Sequence, residues 1–195
     1  MAGLAFFGFS LGLVVRADLG LAPWDVFHQG VSQQLGWSLG TVIVATSFVV
    51  VVLWIPIRER PGIGTLANAV LVGIWVDISL WILPEVLSSL VLRFAVLIVG
   101  ILVNGVATGL YIGARFGSGP RDGLMTGLAA HGYSVRVVRT IIEAIVLISG
   151  FALGGSVGLG TVLFAVAIGP IAHQAIPFFT KFTATSNGPT PIEAT

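Results

Sequence analysis

Residues 22–35 read A-P-W-D-V-F-H-Q-G-V-S-Q-Q-L, and residues 119–131 read G-P-R-D-G-L-M-T-G-L-A-A-H. In each, proline takes a first helical position (Pro23, Pro120) and aspartate follows two residues later (Asp25, Asp122). Proline loses no needed N–H there, and a carboxylate near the first turn meets unbonded amides and the positive end of the helix. Each stretch predicts a helix of about 13 or 14 residues, roughly 20 Å long at 1.5 Å per residue. That is too short to cross a bilayer and too polar to try. The two read as half-helices, either re-entrant or interfacial.

Outward from these stretches the resemblance between the two continues. At an offset of 97, Gly8 falls on Gly105, Gly12 on Gly109, Gly20 on Gly117, Pro23 on Pro120, Asp25 on Asp122 and Gly30 on Gly127. One residue is then dropped. At an offset of 96, Gly36 falls on Gly132, Ser38 on Ser134, Gly73 on Gly169, and Gly62, Gly64 and Thr65 on Gly158, Gly160 and Thr161. Matches in Gly, Pro, Asp and Thr mark repeated backbone geometry, not merely shared apolarity. Each repeat reads helix, half-helix, helix, tight turn, helix.

The rest of the chain is apolar. Of 195 residues, 56% are hydrophobic and 9% charged, and the mean hydropathy is +1.04. An ordinary soluble domain carries about 25% charge, so the composition predicts an all-α, polytopic integral membrane protein in contact with the lipid bilayer. Most soluble enzyme classes, nucleic-acid modules and secreted disulfide domains are excluded. Apolar segments at 1–16, 39–57, 63–83, 91–114, 134–153 and 158–180 predict six transmembrane helices in one domain over 1–182. Its repeats cover about 1–84 and 91–180, and a polar, disordered tail follows at 183–195. The first helix lacks the basic flank and the cleavage site of a signal peptide. With no cysteine in the chain there is no disulfide, thiolate metal site or cysteine nucleophile.

Three spans per repeat invert the second copy; counting the half-helices as spans would leave the copies parallel. The distribution of basic residues separates the two. With three spans, Arg58, Arg60, Arg115, Arg121, Arg136, Arg139 and Lys181 share one side, against Arg16 and Arg93 on the other. The four-span alternative divides them almost evenly. Positive-inside bias therefore favours two inverted three-helix repeats with both termini cytoplasmic, in a bacterial inner membrane.

The motifs G-L-A-P-W-D-V-F-H-Q-G, R-P-G-I-G-T-L-A-N-A-V-L-V-G-I-W-V-D, G-S-G-P-R-D-G-L-M-T-G-L and, from Val135 onward, V-R-V-V-R-T-I-I-E and L-G-G-S-V-G-L-G-T-V resemble the YczE-like branch of the bacterial YczE/YyaS/YitT membrane proteins. The resemblance covers nearly all of the chain except the tail. It implies an integral bacterial membrane protein and brings no catalytic residue with it.

The remaining motifs each have a structural and a functional reading. Gly-x-x-x-Gly pairs at Gly8/Gly12, Gly105/Gly109, Gly109/Gly113 and Gly150/Gly154 let helix backbones approach, within the chain or across a homodimer. The Gly62-Ile-Gly-Thr65 and Gly158-Leu-Gly-Thr161 turns predict hairpins with a hydroxyl at a helix start, or else an amide nest for an anion. Asp77 and His173 occupy equivalent positions, and His28 and His131 lie on the half-helices; none has metal-ligand spacing, and no nucleophile–base pattern is present. No enzyme, metal, cofactor or nucleic-acid partner is therefore expected. Arg139 and Glu143 share a helix face at i, i+4, as a buried pair or as part of a solute pathway. Asp25 and Asp122 are either helix starters or, on paired interrupted helices, a transport site. The leading function is a small secondary transporter or permease, with Asp25, Asp122, Arg121, Arg139, Glu143, Asp77 and His173 as pathway candidates. The alternative is a non-transporting membrane regulator or scaffold.

Overall fold

A computed structural model describes residues 1–85, 88–113 and 118–186, and every regular element among them is an α-helix. The first half of the chain forms α1 (Ala2–Ala17), α2 (Pro23–Leu35), α3 (Leu39–Val52), α4 (Trp54–Ile57) and α5 (Ile63–Ile82). The second forms α6 (Leu90–Gly113), α7 (Pro120–Ala129), α8 (Val135–Ala152) and α9 (Leu159–Ser186). Arg115 lies outside the described residues.

Four stretches are long and apolar enough to cross a membrane: Leu39–Ile57, Ile63–Ile82, Leu90–Ile112 and Leu159–Thr180, with mean hydropathies of 2.3, 1.7, 2.4 and 1.7. The six apolar segments of the sequence all appear as helices, but two fall short of that standard. Helix α1 has 16 residues, and α8 carries Arg136, Arg139 and Glu143 within its 18. Large apolar side chains such as Phe48, Ile98, Ile148 and Val166 remain on the outside of the bundle. In water they would be a liability; in lipid they are the solvent-facing surface.

Helix ends differ from expectation where proline or packing intervenes. Pro56 cannot donate to the carbonyl of Val52 and crowds it, and α3 gives way to α4 there. The second half-helix, α7, has 10 residues, shorter than the stretch up to His131. Helix α9 continues to Ser186, past the Thr183 boundary expected for the tail; residues 187–195 of that tail lie outside the described residues.

The helices form two layers. In one, α1 and α6 lie side by side, with α5 against α1 and α9 against α6. In the other, α2 packs on α3 and α8, and α7 on the same two helices. Glycines set the close contacts. A side chain at Gly8 would strike Trp75 Cβ at 2.6 Å and one at Gly12 would strike Ser79, both on α5; Gly105 and Gly109 meet Ile171 and Ala175 on α9 in the same way. Gly150 sits against the backbone of Phe27. These small-residue pairs therefore serve packing inside the chain. Between α1 and α6, buried Asn104 donates to Ser10 Oγ at 2.8 Å.

Both glycine-threonine turns are hairpins with a hydroxyl at the helix start. Thr65 Oγ1 accepts from the Gly62 amide and Thr161 Oγ1 from the Gly158 amide, each at 3.2 Å. The Gly160 amide is already occupied by the Leu19 carbonyl at 2.7 Å, so no anion nest is left there. Gly20 holds φ +107°, and a Cβ there would fall 2.4 Å from the Gly158 nitrogen and 2.7 Å from Thr161 Oγ1.

Candidate functional site

The loop before α2 returns extended through Ala22, and the loop before α7 through Gly119; proline opens each helix. Neither helix start has a side-chain cap. Asp25 and Asp122 lie in the first turns of these helices, as the sequence predicts. They point to a cavity of about 420 Å³ between the two helical layers. Its walls include Leu11, Asn104 and Phe164, from well inside α1, α6 and α9.

Five of the seven residues marked as pathway candidates by the sequence (Asp25, Arg121, Asp122, Arg139 and Glu143) line this cavity together, and His173 is a sixth. Asp25 is 3% exposed, and the Arg121 Nη1–Asp25 Oδ1 distance is 3.9 Å. The Arg121 guanidinium lies 5.7 Å above the Trp24 ring, a cation–π arrangement. Behind Asp25, one turn along α2, His28 Nδ1 sits 3.4 Å from the same carboxylate oxygen and is 2% exposed. Asp122 accepts a hydrogen bond from Tyr111 Oη at 2.7 Å. Arg139 Nε donates to Glu143 Oε1 at 2.9 Å, as the i, i+4 spacing predicts.

Two expectations are corrected. Asp77 is not at the cavity: it accepts from Ser38 Oγ at 2.6 Å and from the Gly40 amide at 2.7 Å, and so caps the start of α3. Its distance along the sequence from α3 hid that role. The Arg139–Glu143 pair forms but is not fully buried, with the two side chains 55% and 31% exposed. Pro177 adds a feature of its own, since it removes the amide that would bond the His173 carbonyl beside the cavity.

The cavity also includes residues that the sequence reading passed over. Tyr111 and Asn104 are polar groups late in an apolar helix, a signal in itself. Trp24 belongs to the half-helix stretch and lines the cavity, whereas His28, which the sequence already singled out, lies behind Asp25 and not in the cavity wall. A lone histidine or tryptophan carries no such signal without the partner that the fold supplies. Among the described residues no cluster of three His, Cys, Asp or Glu side chains has the arrangement to hold a metal ion.

Apolar outer surface, long apolar helices and a charged internal cavity together define a polytopic α-helical membrane protein. The chain belongs to DUF6198, a family of unknown function whose model matches residues 1–177. It is 40% identical over 173 residues to an uncharacterized protein of Haemophilus influenzae, covering 87% of this chain and 78% of that one. It is 34% identical over 179 residues to the uncharacterized membrane protein YczE of Bacillus subtilis, covering 90% and 83%. Identity to YyaS of the same organism is 26% over 191 residues, covering 95% and 94%. This is the YczE-like family that the motifs resemble. No solved structure matches the chain.

Proposed function

We propose that the protein is a small secondary transporter, a permease for a small solute, in a bacterial inner membrane. Six helices cross the bilayer as two inverted three-helix repeats: α1, α3–α4 and α5, then α6, α8 and α9. Helices α2 and α7 are re-entrant. One observation carries the reading: the first turns of α2 and α7 face each other across a charged cavity inside the bundle, with Asp25 and Arg121 3.9 Å apart. Interrupted helices ending around a cavity at a repeat junction are how many secondary transporters build their solute sites.

The packing supports the inversion. Helix α1 lies on α5 as α6 lies on α9, and α2 lies on α8 as α7 lies on α3. Arg93, early in α6, donates to the Ala17 carbonyl at the far end of α1 at 2.8 Å, so α1 and α6 run in opposite directions. Sidedness follows from the arginines. Arg16 donates to the Leu80 carbonyl, and Arg93 to Ala17 and Asp18, so both serve helix ends on one side. Arg58 and Arg60 lie at the opposite end of α5 from Leu80, and in this reading they mark that side as cytoplasmic.

A regulator without a transport path would place its unusual residues toward lipid or the cytoplasm. Here they face inward, where ionisable groups cost several kcal/mol unless they are paired or used.

The absence of cysteine makes the test clean. Thr108 lines the cavity, and Thr108→Cys would be the sole thiol. A membrane-impermeant maleimide should label it both in inverted vesicles and, as the protein cycles, in right-side-out ones. Labelling from one face alone favours the regulator, and labelling from neither removes the aqueous cavity.

A further inference from the structure

Three groups at the junction of the half-helices are incomplete among the described residues. Asp25 Oδ1 and His28 Nδ1 are buried, have no hydrogen-bond partner and lie 3.4 Å apart. Arg121 makes no hydrogen bond either: its contacts are the Asp25 carboxylate at 3.9 Å and the face of Trp24. A quarter of the Arg121 side chain is open, and it lines the cavity. A guanidinium offers five N–H donors in a rigid fork that matches a carboxylate two bonds at a time. Resting on the transporter reading, we infer that the site takes a small carboxylate solute on Arg121 together with one proton, held between Asp25 and His28.

Arg121 has one counter-ion in the empty site, Asp25, and the pair is too long for a hydrogen bond. An incoming carboxylate that closes to hydrogen-bond distance displaces Asp25. The freed Asp25 carboxylate, inside protein and facing no other cation at that range, takes up a proton. His28 Nδ1 is placed to share it: an approach of about half an ångström gives an ordinary hydrogen bond and completes both orphaned atoms. One anion and one proton then move together, and the net charge of the site is unchanged.

The other charges around the pair fit this role. From α7, Asp122 faces the cavity but is met by the Tyr111 hydroxyl of α6. From α8, Glu143 is met by Arg139. From α9 comes His173, and α3, which also packs on α2, carries no titratable side chain. The cavity thus holds three carboxylates and two guanidiniums. An anion alone would enter against excess negative charge; an anion with a proton would not. Phe7, Trp24 and Phe164 supply apolar wall, so the solute's carboxylate carries a small apolar body.

The test uses the purified full-length chain with benzoate as the probe and benzylamine as the cationic control. Trp24 reports binding, since its emission changes with the charge above its ring; the signal is identified by its loss in Trp24→Phe. Benzoate should saturate the signal and, in weakly buffered solution, take up about one proton per bound molecule. Arg121→Gln should weaken benzoate binding about 10- to 100-fold, the range expected for a charge-assisted hydrogen-bonded pair. Arg121→Lys, which keeps the charge and loses the fork, should weaken it less and guards against misfolding of the first variant. Asp25→Asn should still bind benzoate but take up no proton. Silence from benzoate, binding of benzylamine instead, or benzoate binding without proton uptake overturns the inference and leaves the two-sided labelling of Thr108→Cys untouched. Benzoate and proton binding with one-sided labelling would instead overturn transport and leave the site.

Discussion

Helices α3 and α5 of the first half lie tight against each other, whereas α8 and α9, 96 positions further on, barely meet among the described residues. The contrast can be followed residue by residue. Gly40 and Gly73 each leave no room for a Cβ, because each faces the other's carbonyl; Asp77 then ties α5 to the start of α3. The corresponding residues are Arg136, Gly169 and His173. Arginine cannot enter a glycine contact, a Cβ on Gly169 would meet nothing within 4 Å, and histidine brings no carboxylate to cap α8. Ser134 accordingly makes no cap bond, while its counterpart Ser38 accepts from the Thr41 amide at 3.2 Å. The cavity reaches both faces of the resulting gap, with Arg139 and Glu143 on α8 and His173 on α9. One repeat plan thus makes a closed helix pair and an open one, and of the three positions two differ, Gly40 against Arg136 and Asp77 against His173.

The strongest way to break this contrast is Gly40→Val. The added atoms would meet backbone on α5, which cannot step aside as a side chain can, so the loss should exceed about 3 kcal/mol, beyond ordinary overpacking. Gly169→Ala, at the counterpart of Gly73 in the open pair, should be neutral or raise stability by up to about 1 kcal/mol through helix propensity. Thermal melting in detergent compares the two, and equal losses would mean that α8 and α9 are as closely packed as α3 and α5. Next in size is Asp77→Ala, which removes a helix cap made of two hydrogen bonds and should cost about 1–2 kcal/mol; His173→Ala should stay within about 0.5 kcal/mol. If His173→Ala costs as much, the histidine holds α9 in place after all. The smallest effect belongs to Glu143→Gln. The pair is half exposed, so a double-mutant cycle with Arg139→Met should return a coupling of about 0.3–1 kcal/mol. A value near 3 kcal/mol would show that lipid or a neighbouring chain buries the pair.

The helices, their order and nearly all their ends follow from the sequence by itself. Apolar length, the proline-first half-helices and the paired glycine turns are local signals, carried by propensity and by the insolubility of bare backbone in lipid. Asp25, Arg121, Asp122, Arg139 and Glu143 could be singled out for a related reason: charge in an apolar chain is rare and costly wherever it falls. Their purposes could not be read the same way. Asp77 looked like a pathway residue until the fold placed it over the amide of Gly40, and Asp25, readable from the sequence either as a helix starter or as a pathway residue, gained Arg121 as a neighbour only through the fold. Tyr111 gained its role only when α6 brought it to Asp122. What a charged group does depends on which group lies within about 4 Å of it, because Coulomb and hydrogen-bond energies fall off over that distance. Partners 37 or 96 residues away in the chain come that close only by tertiary packing.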